Sequence, residues 1–209
     1  MTNPNAPEPD ALPVKLPILA VVGLCDPAEG DWGRLRGLPY SSLAKLTFAR
    51  LVAHAMAALL VLQTYAGDVH VALLVGWMAL LVGVLISGAR FDRTLIDADR
   101  RRVSRQEMHR QTISSLFVAL IWAIPMLVFS PFGDQSQRMT LWTVLAMLMT
   151  GMAVTFAAMP MATVMFGGIV GLSGVAAFLF WGEYIAAAVA VAFVLIVSIG
   201  GIEAARTFL

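Results

Sequence analysis

Residues 184–204 read YIAAAVAVAFVLIVSIGGIEA. No charged side chain interrupts the stretch from Tyr184 to Ile202. At 1.5 Å per helical residue it reaches about 30 Å, the depth of a bilayer's hydrocarbon core. Five further runs of the same character precede it, at residues 46–65, 69–89, 112–129, 139–158 and 161–181. Each of the six is 18–21 residues long. In lipid every backbone amide must find an internal partner, so runs of this length are helices. The expected fold class is all-α: a polytopic membrane protein of six transmembrane helices. Composition agrees. Of 209 residues 59% are hydrophobic and 13% charged, against about 45–50% and about 25% in soluble domains.

The connections set the topology. Ala66-Gly67-Asp68, Pro160 and Gly182-Glu183 are short links that demand antiparallel neighbours, whereas residues 90–111 form a long, Arg-rich loop. Threading the six spans puts Lys15, Arg34, Arg36, Lys45, Arg50, the seven arginines of the loop and Arg206 on one side, and Arg138 alone on the other. The excess of basic residues marks the cytoplasmic side, so both termini are expected there, in a bacterial inner membrane. Tyr65, Trp142, Trp181 and Tyr184 fall near the opposite edge, as an aromatic belt would.

Ahead of the first span, residues 1–14 carry four prolines and two acids and read as a disordered tail without the basic, apolar start of a signal peptide. Residues 15–45 read as a cytoplasmic or interfacial lead-in, with an apolar piece too short to span and a short amphipathic helix to Lys45. At the other end nothing after Gly201 breaks the helix, and the exit helix is expected to continue past Ala204 into cytoplasmic sequence beyond Leu209.

Few residues invite chemistry. His54 lies within the first span, one turn beyond Arg50; an intramembrane histidine is a candidate sensing group. Its neighbours Ala53, Ala57 and Ala58 supply no second ligand, so no metal site is read there. His70 beside Asp68 reads as a solvated surface pair. Gly171-Leu172-Ser173-Gly174 resembles the nucleophile motif of rhomboid intramembrane proteases. That family takes its histidine base from a later helix, and here His54, His70 and His109 all precede Ser173. Gly167, Gly171 and Gly174 read instead as a small-residue face for close helix packing.

Pro125 is expected to kink the third helix, and Gly200-Gly201 is a hinge or a packing site in the exit helix. The loop arginines Arg90, Arg93, Arg100, Arg101, Arg102, Arg105 and Arg110 read as a topology signal with helical extensions that also suits anionic lipid headgroups or a docked cytoplasmic domain. Asp97 and Arg101 are spaced as an i,i+4 pair. Cys25 is the only cysteine, excluding an internal disulfide. No helix centre carries Lys, Arg, Asp or Glu, and no phosphate loop, zinc spacing or acid pair is present. No enzyme activity, cofactor or nucleic-acid partner is read from these residues.

Three stretches carry a family resemblance: Asp31-Trp32-Gly33-Arg34-Leu35-Arg36 with the helix to Lys45, the loop around Phe91-Asp92-Arg93 and Arg100-Arg101-Arg102, and Glu203 to Leu209. Together they resemble the N-terminal six-helix membrane-sensor module of bacterial GGDEF/EAL signalling proteins, which make or degrade cyclic di-GMP. The resemblance implies a sensory or anchoring module that passes a signal through its last helix to a downstream cytoplasmic domain, and is compatible with a homodimer. Any cyclase or phosphodiesterase activity would belong to that domain. The membrane region of a sensor histidine kinase and a self-contained transporter or channel subunit are the alternatives.

Overall fold

A computed structural model describes residues 46–93, 105–156 and 159–208. The tail 1–14, the lead-in 15–45, Arg100, Arg101, Arg102 and the Asp97–Arg101 pair lie outside the described residues. Among the described residues six long helices occur: α1 Thr47–Tyr65, α2 Val71–Arg93, α3 Arg105–Ile124, α4 Gln135–Thr155, α5 Pro160–Phe180 and α6 Tyr184–Phe208. All six contain a stretch long and apolar enough to span a bilayer, and the described residues contain no strand. The chain is therefore an all-helical, multi-pass membrane protein.

Local chemistry sets the helix ends. Asp134 and Gln137 form a reciprocal capping box at the start of α4, with Gln137 N donating to Asp134 Oδ1 at 2.8 Å and Asp134 N to Gln137 Oε1 at 2.7 Å. Pro160 opens α5, where a missing N–H costs nothing. Gly182, at φ +71°, ends α5. Glu183 N then bonds Phe178 O and Gly182 N bonds Leu179 O, a pairing that satisfies the last carbonyls.

Two boundaries differ from the sequence reading. α2 runs on through Arg93 and α3 starts at Arg105, past the span limits at 89 and 112, so the stretch 90–111 has helical extensions at both ends, as its charge pattern suggested. Arg, Gln and Glu are good helix formers, and a helix need not stop where the bilayer does. The third span also ends later. After Ile124 the chain widens into a π turn, Pro125–Phe129, then tightens into a 3-10 turn, Ser130–Phe132. Pro125 has no N–H to give to the carbonyl of Ile121, four residues back. The indole Nε1 of Trp77 on α2 donates to that oxygen instead, at 2.9 Å. Within the π turn Ser130 N donates to Pro125 O, and Ser130 Oγ to Met126 O at 2.6 Å.

α3 and α5 form the centre, each with half of its apolar stretch buried, while α2 and α6 lie outermost. α5 packs between α3 and α6, α1 lies on α4, and α2 on α3. One correction concerns the aromatic belt. Tyr65 is fully buried and Trp142 only 9% exposed, whereas Trp181 and Tyr184 face outward. Position along a span predicts depth, not direction. Trp142 turns inward against Phe178 and Phe193, at ring distances of 5.7 and 6.1 Å.

Candidate functional site

Three stripes at helical spacing converge on one interior. On α1 they are Arg50, His54, Ala57, Val61 and Tyr65; on α2 Leu74, Trp77, Leu81 and Asp92. On α3 they are Gln111, Ser115, Val118 and Trp122. The upper part of this interior is a column of rings through the bundle. His54 stacks on Trp122 at 5.8 Å, Trp122 meets Trp77 edge-on at 5.5 Å, Trp77 meets Phe129 at 5.7 Å, and Phe129 meets Tyr65 at 6.1 Å. The indole Nε1 of Trp122 donates to His54 Nδ1 at 3.0 Å. An indole N–H can only donate, so Nδ1 is the acceptor and the imidazole carries its proton on Nε2.

Below the column the interior turns polar. The Arg50 guanidinium donates through Nη2 to Asp92 Oδ2. That oxygen also accepts from Thr47 Oγ1 at 2.9 Å, and Asp92 Oδ1 accepts from Gln111 Nε2 at 3.4 Å. Phe156 of the turn after α4 covers the face of the guanidinium, 5.1 Å from ring centre to Cζ. A charge at this depth is tolerated only when paired, and here one carboxylate ties together α1, α2 and α3. Beside it lies a cavity of about 30 Å³ lined by Arg50, His54, Gly88, Gln111, Ser114 and Ser115, among others. Arg50 Nη1, Gln111 Oε1 and Ser115 Oγ are buried there without a hydrogen-bond partner in the protein.

Sequence reading singled out His54 but missed Asp92 and Gln111, which fell in the stretch 90–111 read as a loop, and Ser115, in the first turn of the third span. A signal existed. The 3- and 4-residue spacing of Leu74, Trp77 and Leu81 extends through Gly88 to Asp92, and that of Trp122 and Val118 runs back to Ser115 and Gln111. No family model, curated protein or solved structure matches the chain.

The other candidates sit elsewhere. Ser173 Oγ is tied to Val170 O at 2.6 Å and is buried, an anchored hydroxyl rather than an exposed nucleophile. Gly171 leaves a notch occupied by Val194 of α6, and Gly174 one occupied by the Trp142 ring, so a Cβ at either would overlap its neighbour. Gly167 faces Met149 and Val197 at ordinary contact distance. The glycine pair of α6 is split: Gly201 is buried against Thr163, whereas Gly200 has open space around it. His70 accepts from Ala72 N at 3.2 Å at the start of α2, and its neighbour Asp68 accepts from Gln137 Nε2 at 2.6 Å.

Arg90 and Arg93 are exposed on the last turn of α2. Arg105 lies in the first turn of α3, and Arg110 stands over the Phe91 ring at 4.9 Å. At the opposite end of the bundle Arg138 donates to Glu183 Oε1 through Nε (3.0 Å) and Nη2 (2.8 Å) and to Gly133 O through Nη1 (2.9 Å). Trp181 stacks on its guanidinium at 4.8 Å. No group of three or more His, Cys, Asp or Glu placed to hold a metal occurs among the described residues.

Proposed function

We propose that the chain is the membrane-embedded sensory or anchoring module of a bacterial signal-transduction protein, seated in the inner membrane with the Arg50–Asp92 end toward the cytoplasm. The observation that carries this reading is the small chamber holding three underpaired polar residues, with His54, the first ring of the aromatic column, in its lining. A pathway for a transported solute needs polar surface reaching both sides of the bilayer in turn. A chamber lined by α1, α2, α3 and the end of α4, beside a carboxylate that joins three of them, suits a site whose state biases helix positions.

The output in this reading is α6. It lies at the edge of the bundle, touches α5 and α4, and stays helical through Phe208. A shift among the inner helices passes to it through α5, and from it to a following cytoplasmic domain of the type that makes or degrades cyclic di-GMP. The orientation rests on charge, since thirteen of the fourteen Lys and Arg residues fall on the Arg50 side.

Two measurements test the reading. Sequencing the gene through the codon for Leu209 should reveal a helical linker and an output domain; a stop codon there overturns the downstream-domain reading. Reporter fusions at Gly133 and Arg101 should report the periplasm and the cytoplasm respectively. The reverse pattern would discard the orientation.

A further inference from the structure

We infer that the chamber beside the Arg50–Asp92 pair is a binding site for water, holding a buried cluster that bridges α1 and α3. Three independent features select this ligand. The first is size. The cavity measures about 30 Å³; a buried water needs about 10–15 Å³, so about two fit. The second is demand. Arg50 is 9% exposed, Gln111 3% and Ser115 3%, and each presents an atom without a protein partner in the same small space. A buried polar atom left unpaired costs about 1–3 kcal/mol, so three around one cavity make a strong case for a shared partner.

The third feature is the pattern of donors and acceptors. Gln111 Nε2 faces Asp92 Oδ1, and turning the amide over would set its oxygen against the carboxylate. Its Oε1 is therefore a fixed acceptor at the chamber. Arg50 Nη1 is an obligate donor, and the Ser115 hydroxyl serves either way. Asp92 already balances the guanidinium, so no net charge calls for an ion; an anion would face the Gln111 Oε1 acceptor and a cation the Arg50 Nη1 donor. A neutral molecule that both donates and accepts satisfies all three atoms. Phe156 covers the guanidinium face, so the Nη1 edge is the part left for it.

This inference rests on the chamber being the module's working site, but its test needs no output domain, so the two readings fail separately. The protein in lipid nanodiscs is imaged at a resolution that shows ordered waters elsewhere in the bundle. One or two peaks are expected within about 2.7–3.2 Å of Arg50 Nη1, Gln111 Oε1 and Ser115 Oγ. No density there, the three atoms paired with one another, or a density larger than water overturns the site. The second arm uses shape-matched variants. Ser115→Thr and Ser115→Val add the same bulk, but only Thr keeps a hydroxyl for the cluster. In a hydrated chamber Ser115→Val melts below Ser115→Thr. In a dry chamber the apolar filler is the better one, and an equal or higher melting midpoint for Ser115→Val excludes bound water.

Discussion

The two sides of the bundle hold together by different means. Among α1, α2 and α3 the ties are polar: Asp92 to Arg50, Thr47 and Gln111, Trp122 to His54, and Trp77 to the Ile121 carbonyl. Among α4, α5 and α6 the ties within the bundle are steric, with Val194 seated at Gly171, the Trp142 ring at Gly174, and Thr163 against Gly201; one ion pair, Arg138 to Glu183, closes their outer end. Lipid tails are as apolar as leucine, so helices in a bilayer associate through close packing or through hydrogen bonds, and this chain relies more on bonds on one side and more on packing on the other. The steric side leaves nothing unfinished at its notches. The polar side leaves three unpaired atoms around a cavity. Glu183 Oε2, on the other side, is also buried without a partner, but the grouping of three such residues around one cavity is confined to the polar side, and there a functional event is sought.

Breaking the polar side should cost most. Asp92→Ala strands the Arg50 guanidinium, and such a loss is worth about 3–5 kcal/mol; a large drop in melting temperature in lipid is expected. Replacing both partners, Arg50→Met with Asp92→Leu, should recover most of it. A single variant as stable as the wild type would show that the carboxylate does not hold these helices. The steric side comes next. Gly171→Ala and Gly174→Ala force Val194 or Trp142 to move, for about 1–3 kcal/mol, and differential scanning of the purified variants measures it.

A third variant probes the polar side at one bond. Trp77→Phe removes the indole donor from Ile121 O and should cost about 1 kcal/mol. The test is coupling: Pro125→Ala restores a backbone N–H at that oxygen, so Trp77→Phe should cost less in the Pro125→Ala background. Equal costs in both backgrounds would show that the indole does not substitute for the missing amide. The smallest effect separates the two glycines of α6. Gly201→Ala pushes on Thr163 and loosens the α5–α6 contact, whereas Gly200→Ala, with open space around it, should stay within about 0.5 kcal/mol. A large change at Gly200 would revive the hinge that the sequence suggested.

Much of the fold was legible because uninterrupted apolar length leaves a helix no alternative in lipid. The site was less so, and for an identifiable reason. Asp92 stands between Phe91 and Arg93 among the first charges after an apolar run, and chain position alone makes it one more loop residue. Only the continuation of α2 through Arg93 turns it inward, and that continuation is a property of the helix beyond the membrane edge. Tyr65 and Trp142 failed in the same way, since hydropathy gives their depth and not the face they occupy. His54 stood out because it lies inside a span, but its partner Trp122 is 68 residues away, a pairing that no local pattern announces.

The ring column also equips the molecule with its own optical reporter. Of the five tryptophans, Trp122 touches the imidazole that lines the chamber, and Trp77 touches Trp122. Indole emission is sensitive to a neighbouring imidazole and to nearby water, and energy passes readily between rings this close. The fluorescence of the unlabelled protein should therefore follow events at the chamber directly. Phe in place of Trp32, Trp142 and Trp181 would remove the other three emitters and leave the signal with the pair that matters.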